Sequence, residues 1–364
     1  MNVLHYISDK DSMIRQYVTM LVNSMGLEAD NTVAEEDGIA KEKLQTVHFD
    51  ILHIHGCWSY AAYRLLKIAE NKGVRVVLSP YGQLEPWIIQ EDYWKEKFPK
   101  KLLFQKDLAV RAYAVIIQGK MEEECIRDLG WNERLEIIRN PIITHSITAA
   151  EMAHQTYRVY RKVLDSNTLQ LMKPQTVQLL RSMIKAGITG DRQWVTDDLY
   201  EMNDMEQWRY VLVYARDENI SPIVIRGARL LNYQIPDLDT STISSYLPKK
   251  YEKVKSIQES IGNQYVSENE RLMATFRQVR KLILRRQLTI SHLCEIDREL
   301  REHDVEEDHL CETLKDSHLY KLACRTMRLM DELTGLDEGF MPMSPLNDRI
   351  TQQIKLQILN HLKI

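Results

Sequence analysis

The apolar positions of this chain follow two rhythms, one before residue 150 and another after it. Val3–Ile7 is a short apolar run with imperfect alternation, the pattern of a parallel strand buried on both faces. Ile14, Tyr17, Val18 and Leu21 then recur at helical spacing up to Gly26, which predicts a helix stopped by glycine. Asn31–Gly38 is polar and reads as irregular. Asp50–His55 is the next strand. Ser59 stands where it can cap a helix over Tyr60–Asn71, with Ala61, Leu65, Leu66 and Ile68 towards a core and Gly73 at its end. Val74–Leu78 is another buried strand, rich in β-branched residues.

Between Glu85 and Lys101, Trp87, Tyr93, Trp94 and Phe98 alternate with charged residues, which predicts a helical segment over the sheet top. Leu102–Arg111 reads as helix and Ala112–Gln118 as strand. Met121–Leu129 is a helix ended by Gly130, and Leu135–Ile138 a short strand before Asn140-Pro141. Strands and helices alternating through short connections predict an α/β domain over residues 1–150, a doubly wound parallel sheet.

After residue 150 the βα rhythm stops. Leu272, Phe276, Val279 and Ile283 form one helical stripe, Leu319, Leu322, Cys324, Met327 and Met330 approximate a second, and Ile350, Ile354, Ile358 and Leu362 a third. Residues 151–364 are therefore expected to be a mainly α-helical domain. Asp237–Ser245, rich in Ser, Thr and Asp, reads as a flexible linker.

Composition narrows the class. The chain has 364 residues, 27% charged and 44% hydrophobic, with a net charge of −4. That is ordinary for a globular protein, and it points to no nucleic-acid partner. The N-terminus reads as a first strand rather than a signal peptide. No apolar run approaches the ~20 residues that span a bilayer. The five cysteines show no CxxC spacing, so free thiols in a reducing cytoplasm are expected and a structural zinc site is not.

The strand ends at residues 53–56 and 79–82 carry the candidate chemistry, because open parallel sheets bind ligands where loops leave the carboxyl ends of strands. His53 and His55 are two apart and share one side of a strand. Three readings stay open: a ligand contact by His55, a metal pair, or a satisfied buried His53 with His55 ordering the turn. No further His or Asp cluster follows, so no metal is expected. Gly82 either admits a ligand close to the backbone or completes a Pro80 turn. Glu85 is a hydrogen-bond acceptor or base for a hydroxyl, or else a surface cap. Trp87 stacks on a ring or packs in the core, and Asn140 contacts a ligand or closes the sheet. The basic group Arg277, Arg280, Lys281, Arg285 and Arg286 is either a solvated helix face neutralised by its acidic neighbour or a contact for phosphate groups or a membrane surface.

Four segments also carry a family likeness. DILHIHGCWS at 50–59, VVLSPYGQLEPW at 76–87, AYAVIIQGKMEEECIRDLGW at 112–131 and IRNPI at 138–142, in this order, resemble the N-terminal, acceptor-side domain of family 4 glycosyltransferases. These enzymes have the two-lobed GT-B fold, and the wording matches a subgroup associated with bacterial surface-polysaccharide synthesis. The resemblance covers roughly residues 1–145. It implies transfer of a sugar from a nucleotide sugar to a glycan or lipid-linked acceptor, without a further cofactor. His55 and Tyr81 would position the reacting groups and Glu85 would orient the acceptor, with Gly56, Gly82, Trp87 and Asn140 as ligand contacts. A cytoplasmic place, with peripheral contact at the inner face of the membrane left open, goes with it.

The chain departs from that pattern. SDKDSM after the first strand lacks the glycines that let backbone N–H groups reach donor phosphates. Tyr81 stands where many relatives have His. The donor lobe is not recognisable: Glu299 and Glu307 have the Glu-x7-Glu spacing, but no Gly-rich loop precedes them. A second expectation is therefore a non-catalytic descendant that binds a glycan, nucleotide or protein, with the helical part contacting a protein partner. A metal-dependent hydrolase using His53 and His55 is the remote third.

Overall fold

All five residues of the strand Ile51–His55 are buried, because it lies inside a sheet covered on both faces. The structure, a computed structural model, describes residues 1–359 apart from 10, 86–100, 196–199, 248–254, 263–264 and 266. The chain falls into two compact units, Met1–Ser166 and the residues from Asn167 onward.

The first unit is a six-stranded sheet: β1 (Asn2–Ile7), β2 (Asp30–Ala34), β3 (Ile51–His55), β4 (Arg75–Ser79), β5 (Ala114–Ile117) and β6 (Leu135–Ile137). The order is β2-β1-β3-β4-β5-β6, and every pairing is parallel. Its described helices are α1 (Ser12–Met25), α2 (Asp37–Thr46), α3 (Tyr60–Asn71), α4 (Lys106–Arg111, after a π-helical turn at Lys101–Gln105), α5 (Lys120–Leu129), α6 (Pro141–Thr144) and α7 (Ala149–Leu164). Strand alternation sorts the core. Leu4, Leu52, Ile54, Val76, Leu78 and Val115 pack with Ala40 and Leu44 of α2, Leu65 and Leu66 of α3, Leu108 of α4 and Ile126 of α5. The residues between them on the strands, His5, His53 and His55 included, face the other side, where α1 and α7 pack against each other and α7 reaches β4. The fold class expected from the rhythm is therefore present. Strand order reverses between β1 and β3, which puts the switch point of the sheet at their carboxyl ends.

Asn31–Gly38, expected to be irregular, contains the edge strand β2 and the start of α2. An edge strand pairs on one side only and buries little; within β2 only Ala34 is buried, so the register with β1 rather than an apolar pattern makes it a strand.

Among the described residues the second unit contains no strand. It is built from α8 (Pro174–Thr189), α9 (Met205–Asp217), α10 (Ser221–Leu230), α11 (Ile257–Ile261), α12 (Glu268–Leu284), α13 (Ile290–Glu302), α14 (Glu307–Asp316), α15 (Tyr320–Leu333) and α16 (Arg349–Leu359). Leu272, Phe276 and Val279 of α12 and Met327 and Met330 of α15 lie in its core, as their spacing predicts. Ile354 and Ile358 are buried there too, but Ile350 is exposed at the start of α16, and Leu362 lies outside the described residues. α8 and α10 meet backbone to backbone: a Cβ on Gly187 would stand 2.0 Å from the Ile223 carbonyl oxygen, and one on Gly227 1.8 Å from that of Met183. Asp237–Ser245, expected to be a flexible linker, is instead held inside this unit. The Arg216 guanidinium donates to the Thr240 and Ile243 carbonyls and to Ser245 Oγ.

Candidate functional site

Behind the strand ends lies a buried hydrogen-bond chain whose proton positions can be worked out. Asn31 Nδ2 donates to the Ala29 carbonyl, which orients the amide so that Oδ1 faces His5 Nε2 at 2.9 Å. His5 Nε2 therefore carries a proton. Burial lowers the His5 pKa from 6.5 to about 4, so the ring is neutral and Nδ1 is bare. His55 Nε2, 3.0 Å away, must donate to it. Burial, then the neighbouring rings of His53 and His5, push His55 well down. Its Nδ1 is therefore bare and accepts from the Tyr81 hydroxyl at 2.6 Å.

Tyr81 and Tyr160 are both held protonated by burial. The Ser79 hydroxyl acts on Tyr81 from the donor side, working against that burial, which leaves Ser79 Oγ to accept from His53 Nε2 at 2.7 Å. His53, neutral through burial first and His5 second, accepts at Nδ1 from Tyr160 of α7 at 2.6 Å. One direction of donation runs Tyr160, His53, Ser79, Tyr81, His55, His5, Asn31. The three imidazoles offer atoms within 4.8 Å of one another, as metal ligands do. Yet each of their ring nitrogens already has a hydrogen-bond partner in this chain, so the geometry is complete without an ion.

Tyr81 connects this chain to the rim. It and Gly82 are the central residues of a turn closed by the Gln83 N–H on the Pro80 carbonyl at 3.1 Å, with φ of 52° and 78°. Positive φ at both centres makes this a type I′ turn. A tyrosine in that region costs about 1–3 kcal/mol, and its two anchors, the His55 bond and an edge contact with Tyr17, offset it.

Gln83 ties three loops together. Its Nε2 donates to Asp9 after β1 at 2.6 Å, and its Oε1 accepts from the Cys57 N–H after β3 at 2.5 Å. Its carbonyl accepts from Trp58 Nε1 at 3.0 Å. Gly56 is required where these loops meet: φ is 98°, and a Cβ would lie 2.7 Å from Ser8 Oγ. Glu122, in the first turn of α5, fastens the β4 turn by accepting from the Gly82 N–H at 2.6 Å and the Gln118 N–H at 3.0 Å. Burial raises its pKa, the two backbone bonds work against that, and Glu85 adds to it. Burial also raises Glu85, whose carboxylate reaches within 3.6 Å of where a Gly82 Cβ would stand. Tyr60, the first residue of α3, is 61% exposed and packs beside Tyr63 and Phe104.

Of the residues singled out in the sequence, His55, Gly56, Tyr81, Gly82 and Glu85 come together here. His55 is fully buried with both ring nitrogens engaged, so it reaches the rim only through Tyr81. Asn140 sits beyond the edge strand β6, where its side chain caps α6 through the Ile142 N–H. Trp87 and the aromatic segment after it lie outside the described residues. Asp9, Gln83, Glu122, His5 and Tyr160 were not found by sequence reasoning. Glu122 had a signal, a carboxylate three residues after a glycine that opens a helix; the others join through tertiary contact alone.

No protein-family model matches this chain, and neither does any curated protein or solved structure.

Proposed function

We propose that residues 1–166 form a sugar-binding unit akin to the acceptor side of a family 4 glycosyltransferase. It holds a glycan or lipid-linked acceptor during surface-polysaccharide assembly, and transfer itself needs a donor-binding half supplied from elsewhere. The carrying observation is the rim at the switch point, where Asp9, Gln83, Glu85 and Glu122 gather around the Tyr81-Gly82 turn. Asp9 and Glu85, neither of them fully buried, suit hydroxyl donors of a sugar, and Tyr60, exposed at the start of α3 just after β3, offers an aromatic face at the same end of the sheet. The same carboxylates repel pyrophosphate, and the turn after β1 presents Asp9 where donor phosphates require N–H groups. The absence of any strand among the described residues of the second unit supports the binding reading over a self-sufficient transferase.

Calorimetry of the full chain against a panel of oligosaccharides and lipid-linked analogues, beside uridine, guanosine and cytidine diphosphate sugars, tests this. Glu85→Gln and Tyr60→Ala should each weaken glycan binding about tenfold while changing stability by less than about 0.5 kcal/mol. Leu65→Ala, in the core, should cost about 2–5 kcal/mol and leave the affinity of the folded fraction intact. Tight binding and turnover of a nucleotide sugar by the chain alone would replace this reading with a complete transferase.

A further inference from the structure

α12 presents Arg277, Arg280 and Lys281 in its C-terminal half, Arg285 caps it and Arg286 follows, and all are exposed. At 100° per residue, positions 277, 281, 284 and 285 lie on the face away from the buried Leu272, Phe276 and Val279, with Arg280 at its edge. Leu284 lies on that face and is 75% exposed. The acidic neighbour α13 does not neutralise it. Glu295 accepts from the Ile257 N–H, Asp297 is paired with Arg301, and Glu299 with Arg271. Among the described residues, none of the five cations has a carboxylate within ion-pairing distance. The chain as a whole is acidic, so this is a local concentration rather than a general excess.

We propose that this face docks on an anionic lipid bilayer. A solvent-facing leucine surrounded by guanidinium and ammonium groups matches an interface in which an apolar side chain enters the acyl boundary while cations meet headgroup phosphates. A nucleic acid is the competing polyanion, and its phosphates would meet the same cations; the solvent-facing Leu284 among them is what favours a bilayer, whose acyl boundary takes an apolar side chain. Among the described residues no helix is long and apolar enough to cross a membrane, so the contact is peripheral. Cations at a helix C-terminus also favour its dipole; that role alone would show as lost stability, not as lost binding.

The test is co-sedimentation of the full chain with phosphatidylcholine vesicles, with and without phosphatidylglycerol, at low and physiological salt. Thermal unfolding of each variant and polarisation of a labelled oligonucleotide run beside it. The wild type should sediment with the anionic vesicles only, less at higher salt, and millimolar inorganic phosphate should not release it. Each cation near the surface contributes roughly fivefold. Arg280→Gln, Lys281→Gln and Arg285→Gln together should therefore weaken binding roughly a hundredfold, and Leu284→Ser severalfold, with the unfolding midpoint kept. No sedimentation at low salt overturns the proposal. So does equal binding by the triple variant, or tighter binding to the oligonucleotide than to the vesicles. If the triple variant unfolds, Leu284→Ser decides, and its unchanged vesicle affinity would count against the proposal. None of these readouts depends on sugar binding.

Discussion

The Tyr160 hydroxyl donates to Nδ1 of His53 at 2.6 Å across 107 positions of sequence, and both side chains are buried. This bond locks α7 onto the sheet and starts the ordered chain that ends on Asn31. Tyr160→Phe leaves a buried nitrogen without its donor, which costs about 1–3 kcal/mol. Denaturant unfolding of the variant should show a lower midpoint with an unchanged slope. A wild-type midpoint would mean that the bond contributes nothing.

Acid should attack the same chain. His5 titrates at about 4 when folded against 6.5 when unfolded, and His53 and His55 are lowered as well. Between those values the unfolded chain binds more protons, so stability rises with pH in this window. The His5 contribution is fully present above pH 6.5 and is lost as pH falls towards 4, by about 3 kcal/mol at 1.36 kcal/mol per unit. Urea midpoints from pH 7.5 down to 4.5 should fall steadily below 6.5. His5→Gln should flatten that slope, and a flat wild-type profile would contradict the neutral-imidazole assignment.

Because the ring nitrogens of His5, His53 and His55 are already engaged, metal binding would have to break the ordered chain. Protein purified without chelator should carry no stoichiometric zinc, iron or nickel by elemental analysis. One tightly held equivalent, lost in His55→Ala, would bring the hydrolase reading forward.

Two glycines separate packing from propensity. Gly227→Ala places a methyl 1.8 Å from the Met183 carbonyl oxygen, so α8 and α10 must separate; a loss of about 3 kcal/mol or more is expected. Gly38 lies in α2 with nothing within 4 Å of a Cβ, and Gly38→Ala should stabilise by about 0.5–1 kcal/mol. Calorimetric unfolding of the pair checks both signs.

What the sequence determined by itself was local. Apolar runs such as Val74–Leu78 are strands because β-branched residues need burial on both faces. Stripes such as Leu272, Phe276 and Val279 are helical because only a 3.6-residue period brings them to one side. Open parallel sheets bind ligands at the carboxyl ends of their strands, and the polar and glycine residues after β3 and β4 mark that rim in the sequence; His55, Tyr81, Gly82 and Glu85 meet there. Tertiary structure decided the rest. β2 exists because β1 offers it a hydrogen-bonding edge, not because its own side chains are apolar. His5 and Tyr160 complete the His53–His55 pair from β1 and α7, and Gln83 joins loops after three strands. Among the described residues the cations at the C-terminal end of α12 stay unpaired because Glu295, Asp297 and Glu299 of α13 engage other groups, Glu299 holding Arg271 near the start of α12. Each of these depends on which elements become neighbours in space, and a one-dimensional pattern of polarity does not encode that pairing.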